Sequence, residues 1–359
     1  MSAWRDRVRL GLRPIDPYHV PPVEVAIKLD ANESPYAAPP ELMAAVARAV
    51  RDAPINRYPD PRASRLRSAI AADLAQPPER LVLGNGGDEL IALLCSALAE
   101  PPPGRAQGTI VFPAPGFVVF RTAALAAGLE PVEAPLGRYF QADADVLSET
   151  LRKADPNLVF LATPNNPTGT VWSRGIVEEL LRTHPDTLFI LDQAYVGYGG
   201  EDLIDLVEVF GNCAILRTYS KIGLAGLRIG VLVALPELAH EVEKIRPPYN
   251  IGILAQRVAE VAIGRFASQL RAHMREIAAE RDELMRVFGR LPGVETFYSG
   301  ANFFLARFAD AGAVWQALLD RSILVRRFGP GRLQDCLRIT VGTPEENIHL
   351  IEALNEILR

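Results

Sequence analysis

Runs of consecutive apolar residues alternate with amphipathic segments along most of the chain. The runs at 158–162 and 188–192 are apolar at nearly every position and lack the alternation of a strand with one exposed face. The segments between such runs place apolar residues three or four positions apart, as a helix with one buried face requires. Strands buried on both faces and separated by helices predict an α/β fold, with a mainly parallel sheet covered by helices on both sides.

The same pattern predicts the individual strands and helices of residues 1–234. We expect an extended, proline-rich arm over residues 1–40, and a buried strand, a glycine turn and a helix between residues 81 and 99. The other predicted strands are at 109–112, 130–134, 158–162, 188–192, 214–217 and 229–234, and the other helices are at 41–51, 64–74, 116–127, 146–153 and 174–183.

The pattern changes near residue 236, where helical periodicity replaces the alternation of strands and helices. Two long helices are predicted, at 255–263 and 269–288. Short strands then follow at 295–297, 303–306, 324–325 and 336–340, with helices at 312–321 and 344–358. We therefore expect three parts: an arm (1–40) that joins the small domain, a large domain (41–245), and a small α+β domain that includes the linking helix (246–359).

Composition narrows the functional classes. The chain has 49% hydrophobic and 23% charged residues and a net charge of −5, which gives no support to nucleic-acid or membrane-surface binding. No apolar run is long enough for a spanning helix, and the first residues lack the apolar core of a signal peptide. Cys95, Cys213 and Cys336 are far apart in apolar runs, so neither a disulfide framework nor a metal site is expected. We predict a soluble cytoplasmic protein.

Four loops at strand ends carry candidate chemistry, because open α/β sheets bind ligands at the carboxyl ends of their strands. The first contains Gly86, Gly87 and Asp88 and opens a helix, where backbone N–H groups favour a phosphate. A plain strand-to-helix turn would explain it about as well. The second contains Asn165 and Asn166 between prolines; Asn166 is the better candidate to donate to a phenolate oxygen, and a rigid turn is the alternative.

The third and fourth loops complete the constellation. Asp192 ends an apolar strand, where a carboxylate needs a partner such as a pyridinium N–H, and Tyr195 of the same loop could donate to the ring oxygen. Lys221 lies beside Ser220 and Arg228, two groups suited to a phosphate, although Arg228 could simply pair with a surface acid. A lysine, a phosphate clamp and a strand-end carboxylate together predict a pyridoxal 5′-phosphate (PLP) site. Lys221 would bond to the cofactor aldehyde and later move the substrate proton as a free amine.

The sequence resembles the fold-type I PLP-dependent aminotransferases of class II over nearly its whole length, and within them it is most similar to the histidinol-phosphate aminotransferase family. The matching motifs are Lys28-Leu-Asp-Ala-Asn32-Glu-Ser-Pro35, Arg57-Tyr58-Pro-Asp, Pro164-Asn-Asn166-Pro-Thr-Gly, Asp192-x-Ala-Tyr195, Thr218-Tyr-Ser-Lys221, Leu224-Ala-Gly-Leu-Arg228-Ile-Gly and Cys336-Leu-Arg338-Ile-Thr-Val-Gly-Thr.

The resemblance implies a homodimer in which Tyr58 reaches the cofactor phosphate of the partner subunit. It also implies that the anionic substrate is bound by Tyr18, Asn32, Arg326 and Arg338, and the sequence leaves open whether Arg326 or Arg327 points inwards. Two positions depart from the family pattern. Gln193 stands where a glutamate is usual, and Phe117 stands where a tyrosine usually stacks on the cofactor ring; Phe117 can still stack but has no hydroxyl.

The resemblance implies transamination of L-histidinol phosphate with 2-oxoglutarate, giving imidazole acetol phosphate and L-glutamate in histidine biosynthesis. The nearest alternative keeps the site and takes phenylalanine or tyrosine as the amino donor. A third reading is a threonine-phosphate decarboxylase on the same fold. A PLP-binding transcription regulator is disfavoured, since only 27 residues precede Lys28 and leave no room for a winged helix.

Overall fold

The computed structural model describes residues 5–17 and 23–359. Two β-sheets organise these residues, one of seven strands and one of five. The bounds of the strands in chain order are β1 Ile27–Leu29, β2 Leu81–Asn85, β3 Thr109–Ala114, β4 Glu130–Pro135, β5 Leu158–Ala162, β6 Leu188–Asp192, β7 Cys213–Thr218, β8 Ile229–Val233, β9 Glu295–Thr296, β10 Phe303–Arg307, β11 Ile323–Arg327 and β12 Cys336–Thr340.

Helices cover both sheets. Their bounds are α1 Pro40–Arg51, α2 Ser64–Leu74, α3 Gly87–Ala97, α4 Val118–Ala127, α5 Ala144–Ala154, α6 Arg174–Thr183, α7 Leu206–Val209, α8 Pro236–Glu243, α9 Ile253–Phe288, α10 Ala311–Leu319 and α11 Pro344–Ile357. Single 3₁₀ turns occur at Arg5–Arg7, Leu10–Leu12, Pro78–Arg80, Ser220–Ile222 and Ala225–Leu227.

The seven-stranded sheet has the order β2-β8-β7-β6-β5-β3-β4, and only β8 runs antiparallel to its neighbours. The prediction of a mainly parallel sheet in an α/β fold is therefore confirmed. Its central strands separate two cores: in β5, Val159 and Leu161 enter one apolar cluster, while Leu158 and Phe160 enter the other. Burial on both faces explains the continuous apolar runs in the sequence.

The five-stranded sheet has the order β1-β11-β12-β10-β9. Its strand β1 comes from the proline-rich segment near the N-terminus and pairs parallel with β11, with Lys28 opposite Leu324. The sequence predicted an arm here but no strand, because three residues are too few to show a period. Leu29 packs in the core of this sheet, so the segment is fastened to it at that point.

One continuous helix, α9, links the two cores. Its first half enters the core of the seven-stranded sheet through residues up to Leu270, and its second half enters the other core from Met274 onwards. The prediction of two separate helices, at 255–263 and 269–288, was wrong. The residues between those two ranges are helical as well, and in this stretch Gly264 lies close to Ala69 of α2, which packs against α9.

Candidate active site

A cavity of about 270 Å³ lies at the carboxyl ends of the parallel strands. The four loops singled out in the sequence contribute to its wall, together with residues of β12 and of the segment that follows β1. The sequence-predicted residues on the wall are Asn32, Gly87, Asp88, Phe117, Asn166, Asp192, Tyr195, Ser220, Lys221, Arg228 and Arg338.

Asp192 is the least exposed charged residue on the cavity wall. Its carboxylate is buried at the end of β6 and accepts one hydrogen bond from the backbone N–H of Ala194, at 3.0 Å. Burial raises the pKa of Asp192 to about 7. Within residues 5–17 and 23–359, no lysine, arginine or histidine nitrogen lies within 4.0 Å of this carboxylate. A buried acid on a cavity wall, with no cation of the described residues within 4.0 Å, fits the protonated ring nitrogen of PLP.

The hydroxyl of Tyr195 is held by Asn32. The amide Nδ2 of Asn32 donates to this hydroxyl at 2.9 Å, and the Asn32 Oδ1 accepts from Thr340 at 3.1 Å. Since the tyrosine oxygen accepts this bond, its own proton remains available to donate to a ring oxygen in the cavity. Asn32 is buried and has a backbone φ of 54°, a left-handed conformation that asparagine tolerates better than most residues.

The two adjacent asparagines of the second loop have different surroundings. The side-chain amide of Asn165 is buried and donates to Pro115 O and to Thr168 Oγ1. Asn166 instead lies on the cavity wall, where its Oδ1 accepts from Arg338 Nη1 at 2.6 Å. With the oxygen occupied, the NH₂ group of Asn166 is the part that can donate to a bound ring oxygen.

The opposite end of the cavity is suited to a phosphate. The N-terminus of α3 brings Gly87 and Asp88 to the wall, and Arg228 donates to Ser220 Oγ at 3.3 Å and to the Asp88 carboxylate at 3.0 Å. Gly86 directly precedes this helix with φ of 82°, and a Cβ there would lie 2.4 Å from Arg228 Nη2. Glycine is therefore required for the close approach of Arg228 to the loop.

Lys221 projects into the cavity from the 3₁₀ turn that follows β7. Its Nζ lies 3.3 Å from Ala31 O and 5.7 Å from the centre of the Tyr195 ring. The carbonyl oxygen of Lys221 accepts a hydrogen bond from the buried hydroxyl of Tyr198. The lysine is thus held through its backbone, and its amine reaches the cavity with few fixed contacts.

The two departures from the family pattern have different surroundings. Phe117 lies on the cavity wall and packs edge-on against Phe120 at a centroid distance of 5.6 Å. Gln193 is buried away from the cavity: its amide donates to Glu201 O, and its Oε1 accepts from Arg217 Nη2 at 3.0 Å. The glutamine therefore lies in the loop behind Asp192, outside the cavity wall.

Some predicted residues are not part of the cavity wall. Tyr58 is 80% exposed and stacks on Tyr249 at a centroid distance of 4.5 Å. Arg326 pairs with Arg338 across β11 and β12, and directly paired antiparallel residues project on the same face of a sheet. Arg327 projects on the other face, where its guanidinium lies 6.0 Å from the Trp315 ring. Tyr18 lies outside the described residues.

Sequence reasoning missed other residues at this site. Lys28 is on the cavity wall and pairs with Glu33 at 2.7 Å and with Asp30 at 3.4 Å. The backbone carbonyl of Asp30 accepts from Arg338 Nη2 at 2.5 Å. Lys28 and Asp30 alternate with the buried Leu29. This period of two was the signal in the sequence that could have indicated a short strand with Lys28 and Asp30 on one face.

This fold and this site define a fold-type I PLP-dependent aminotransferase. The family model described as "Aminotransferase class I and II" matches residues 24–354. The chain is 37% identical over 357 residues to histidinol-phosphate aminotransferase 2 of Burkholderia pseudomallei, covering 99% of both chains. It is 41% identical over 348 residues to histidinol-phosphate aminotransferase 1 of Carboxydothermus hydrogenoformans, covering 96% of both.

The solved structures agree with these sequence matches. Histidinol-phosphate aminotransferase from Sinorhizobium meliloti, in complex with pyridoxal-5′-phosphate, superimposes with a TM-score of 0.84 at 27% identity, covering 94% of this chain and 92% of that one. The chain belongs to the histidinol-phosphate aminotransferase family. It is an enzyme with PLP as its cofactor, and its substrates are a small amino donor and a keto acid. Among the described residues, no helix has the length and apolar character to cross a membrane.

Proposed function

We propose that this enzyme transfers the amino group of L-histidinol phosphate to 2-oxoglutarate, giving imidazole acetol phosphate and L-glutamate. The proposal rests on the names of its relatives and on one feature of the five-stranded sheet. Arg326 and Arg338 are cross-strand partners and share a face, and Arg338 lies on the cavity wall. Two guanidinium groups on one face suit a substrate that carries a doubly charged phosphate close to its amine-bearing carbon.

The cofactor would be held by the groups described above. We assign the phosphate to Gly86, Gly87, Asp88, Ser220 and Arg228, with Tyr58 of a second subunit completing that end. Asp192 would pair with the ring nitrogen, Asn166 and Tyr195 would donate to the ring oxygen, and Phe117 would stack on the ring. Bound PLP supplies an electron sink for negative charge developing at the substrate Cα.

The proton transfer is assigned to Lys221. Once the substrate amine has displaced Lys221, the free amine of the lysine would take the proton from the substrate Cα and return it to the C4′ carbon of the cofactor. Arg326, Arg338, Asn32 and Tyr18 would bind the substrate. For Asn32 this role stays a prediction, since both polar atoms of its side chain already contact Tyr195 and Thr340.

The amino-donor assignment is tested by steady-state kinetics with 2-oxoglutarate as acceptor. We expect kcat/KM for L-histidinol phosphate to exceed that for phenylalanine and tyrosine by at least about 100-fold, since its phosphate has more charge and more acceptor oxygens for the two arginines than the carboxylate of those donors. A higher kcat/KM for phenylalanine would contradict the proposal and favour an aromatic aminotransferase. Release of CO₂ from threonine phosphate would favour the decarboxylase.

We also propose a cytoplasmic homodimer with the division into an arm (1–40), a large domain (41–245) and a small domain (246–359). The exposed, stacked side chains of Tyr58 and Tyr249, together with Ile55, which is close to Tyr58 in sequence and 78% exposed, support the dimer. Three free, buried cysteines suit a reducing compartment. Sedimentation equilibrium of the purified holoenzyme tests the dimer, and a monomer at micromolar concentration would contradict it.

A further inference from the structure

The loop that carries Lys221 is tied, on the side away from the cavity, to the helices behind the sheet. Tyr219 immediately precedes the 3₁₀ turn of Lys221, and its ring is 5% exposed. Its hydroxyl donates to Asp73 Oδ2 of α2 at 2.8 Å. The Asp73 carboxylate also pairs with Arg271 of α9, which donates to the same oxygen at 3.3 Å. The side chains of Tyr219, Asp73 and Arg271 therefore connect the lysine loop to the helices α2 and α9.

Arg271 lies at a distinctive position along α9. Leu270 is the last residue of α9 in the core of the seven-stranded sheet, and Met274 is the first in the core of the five-stranded sheet. Arg271 thus lies where the helix passes from one core to the other. Through Asp73, this crossover point is connected to the backbone that positions the reactive amine.

The surroundings of Lys221 make its position sensitive to that backbone. Its Nζ makes a single hydrogen bond to another described residue, at 3.3 Å to Ala31 O. The turn ends at Gly223, whose φ of 104° lies in the left-handed region and which has no side chain to anchor the backbone on that side. On the other side, the Tyr219 side chain is buried and its hydroxyl is engaged.

We propose that Tyr219 and Asp73 are positioning residues for Lys221: their hydrogen bond fixes the lysine turn relative to α2 and α9 and so places Nζ for proton transfer. Neither residue lines the cavity. The proposal concerns the aminotransferase reaction in general and does not depend on which amino donor the enzyme prefers.

The test compares Tyr219→Phe, Asp73→Ala, the double variant and Asp73→Asn, assayed as holoenzymes with a donor that the wild type turns over. We expect Tyr219→Phe and Asp73→Ala each to lower kcat about tenfold with KM changed less than about twofold, since a small misplacement of a reacting group mainly slows chemistry. The double variant should be no slower than either single variant. Asp73→Asn should retain most of kcat, because an amide oxygen still accepts from Tyr219.

A second readout separates positioning from simple stabilisation. The midpoint pH of the visible absorption band of bound PLP reports the electrostatic surroundings of the lysine nitrogen. This midpoint should differ from the wild-type value in Tyr219→Phe and should stay close to the wild-type value in Asp73→Asn. Ser148→Ala removes a hydrogen bond of similar kind, to His184 at 2.9 Å between α5 and the end of α6, and should change neither kcat nor the midpoint.

Unchanged kcat and midpoint in Tyr219→Phe, with only a lower melting temperature, would overturn the proposal. If that variant does not fold, Arg271→Gln serves in its place, since the Arg271 side chain is nearly half exposed and its removal leaves the tyrosine in position. We expect Arg271→Gln to lower kcat about threefold, with a midpoint shift of the same sign. Wild-type values for both would equally contradict the proposal.

Discussion

Asn32 and Tyr195 meet across 163 positions of sequence: the asparagine Nδ2 donates to the tyrosine hydroxyl at 2.9 Å, at the edge of the cavity. This bond leaves the tyrosine proton directed away from the asparagine and available to a ligand. Asn32 comes from the segment after β1, while Tyr195 comes from the loop after β6. The five-stranded sheet therefore contributes to orienting a group of the seven-stranded sheet.

The first prediction concerns this bond. Asn32→Gly removes the amide but allows the left-handed backbone at this position. We expect kcat to fall about tenfold, the effect of losing one good hydrogen bond to a reacting group. Steady-state kinetics of the double variant Asn32→Gly/Tyr195→Phe should match those of Tyr195→Phe alone. Fully additive losses would show that Asn32 acts independently of the tyrosine.

The second prediction concerns the lysine. Lys221→Ala should abolish both turnover and the visible absorption band of PLP, because the chain then lacks the amine that bonds to the cofactor aldehyde. Absorption spectra of protein incubated with PLP and then freed of unbound cofactor, together with transaminase assays in added PLP, provide the measurement. Lys153→Ala, which removes an exposed lysine paired with Glu149, is the matched control and should retain both.

The third prediction concerns Arg326, and the adjacent Arg327 is its control. Arg326 shares a sheet face with Arg338, whereas Arg327 lies against Trp315 on the other face. Arg326→Ala should raise KM for an anionic donor about tenfold or more, since a charge-assisted hydrogen bond to the donor is lost. Arg327→Ala should change KM less than about twofold. Equal effects in the two variants would contradict the orientation derived from the strand register.

The fourth prediction concerns Arg338, which contacts Asn166 and the carbonyl of Asp30 on the cavity wall. Arg338→Ala should raise KM for anionic donors about 100-fold, while PLP absorption remains nearly intact. Arg338→Lys should recover only part of this loss, because an ammonium cannot bind an anion bidentately. Arg307→Ala, which removes an arginine paired with Glu295 in the same sheet, should leave KM unchanged.

The fifth prediction concerns the pH dependence of stability in the cofactor-free protein. Burial raises the pKa of Asp192 to about 7, above its value in the unfolded chain. A raised pKa means that the stability contribution is complete below the unfolded pKa and is lost as pH rises through the folded pKa. Relative to Asp192→Asn, the wild type should lose about 4 kcal/mol of unfolding free energy between about pH 4 and about pH 7. Urea unfolding of both proteins measures this difference.

Two outcomes bear on that expectation. Saturating PLP should reduce the loss, since a cationic ring nitrogen would pair with the ionised carboxylate. A difference between the two proteins that stays constant from pH 4 to pH 8 would show that Asp192 titrates at its ordinary pKa.

Most of the seven-stranded sheet was predictable because its signals are local. The bounds of β5 and β6, and of the helices α2 and α6, agree with the sequence prediction, since long apolar runs and regular helical spacing mark their ends. The three-residue strand β1 was missed because it forms only through pairing with β11. The division of α9 into two helices was wrong because the helix is continuous from Ile253 to Phe288 and packs against α1 and α2, a tertiary contact that local periodicity does not show.

The sequence by itself determined which loops form the cavity, because parallel strands deliver their carboxyl ends to one edge and those ends are marked by Asp192, Lys221 and their neighbours. Only the tertiary structure decided that Asn32 orients Tyr195, that Arg326 rather than Arg327 shares the face of Arg338, and that Tyr219 is tied to Asp73. The physical reason is the range of the interactions. Periodicity records which face of an element is buried, whereas these contacts depend on strand register and on helix packing between segments far apart in the chain.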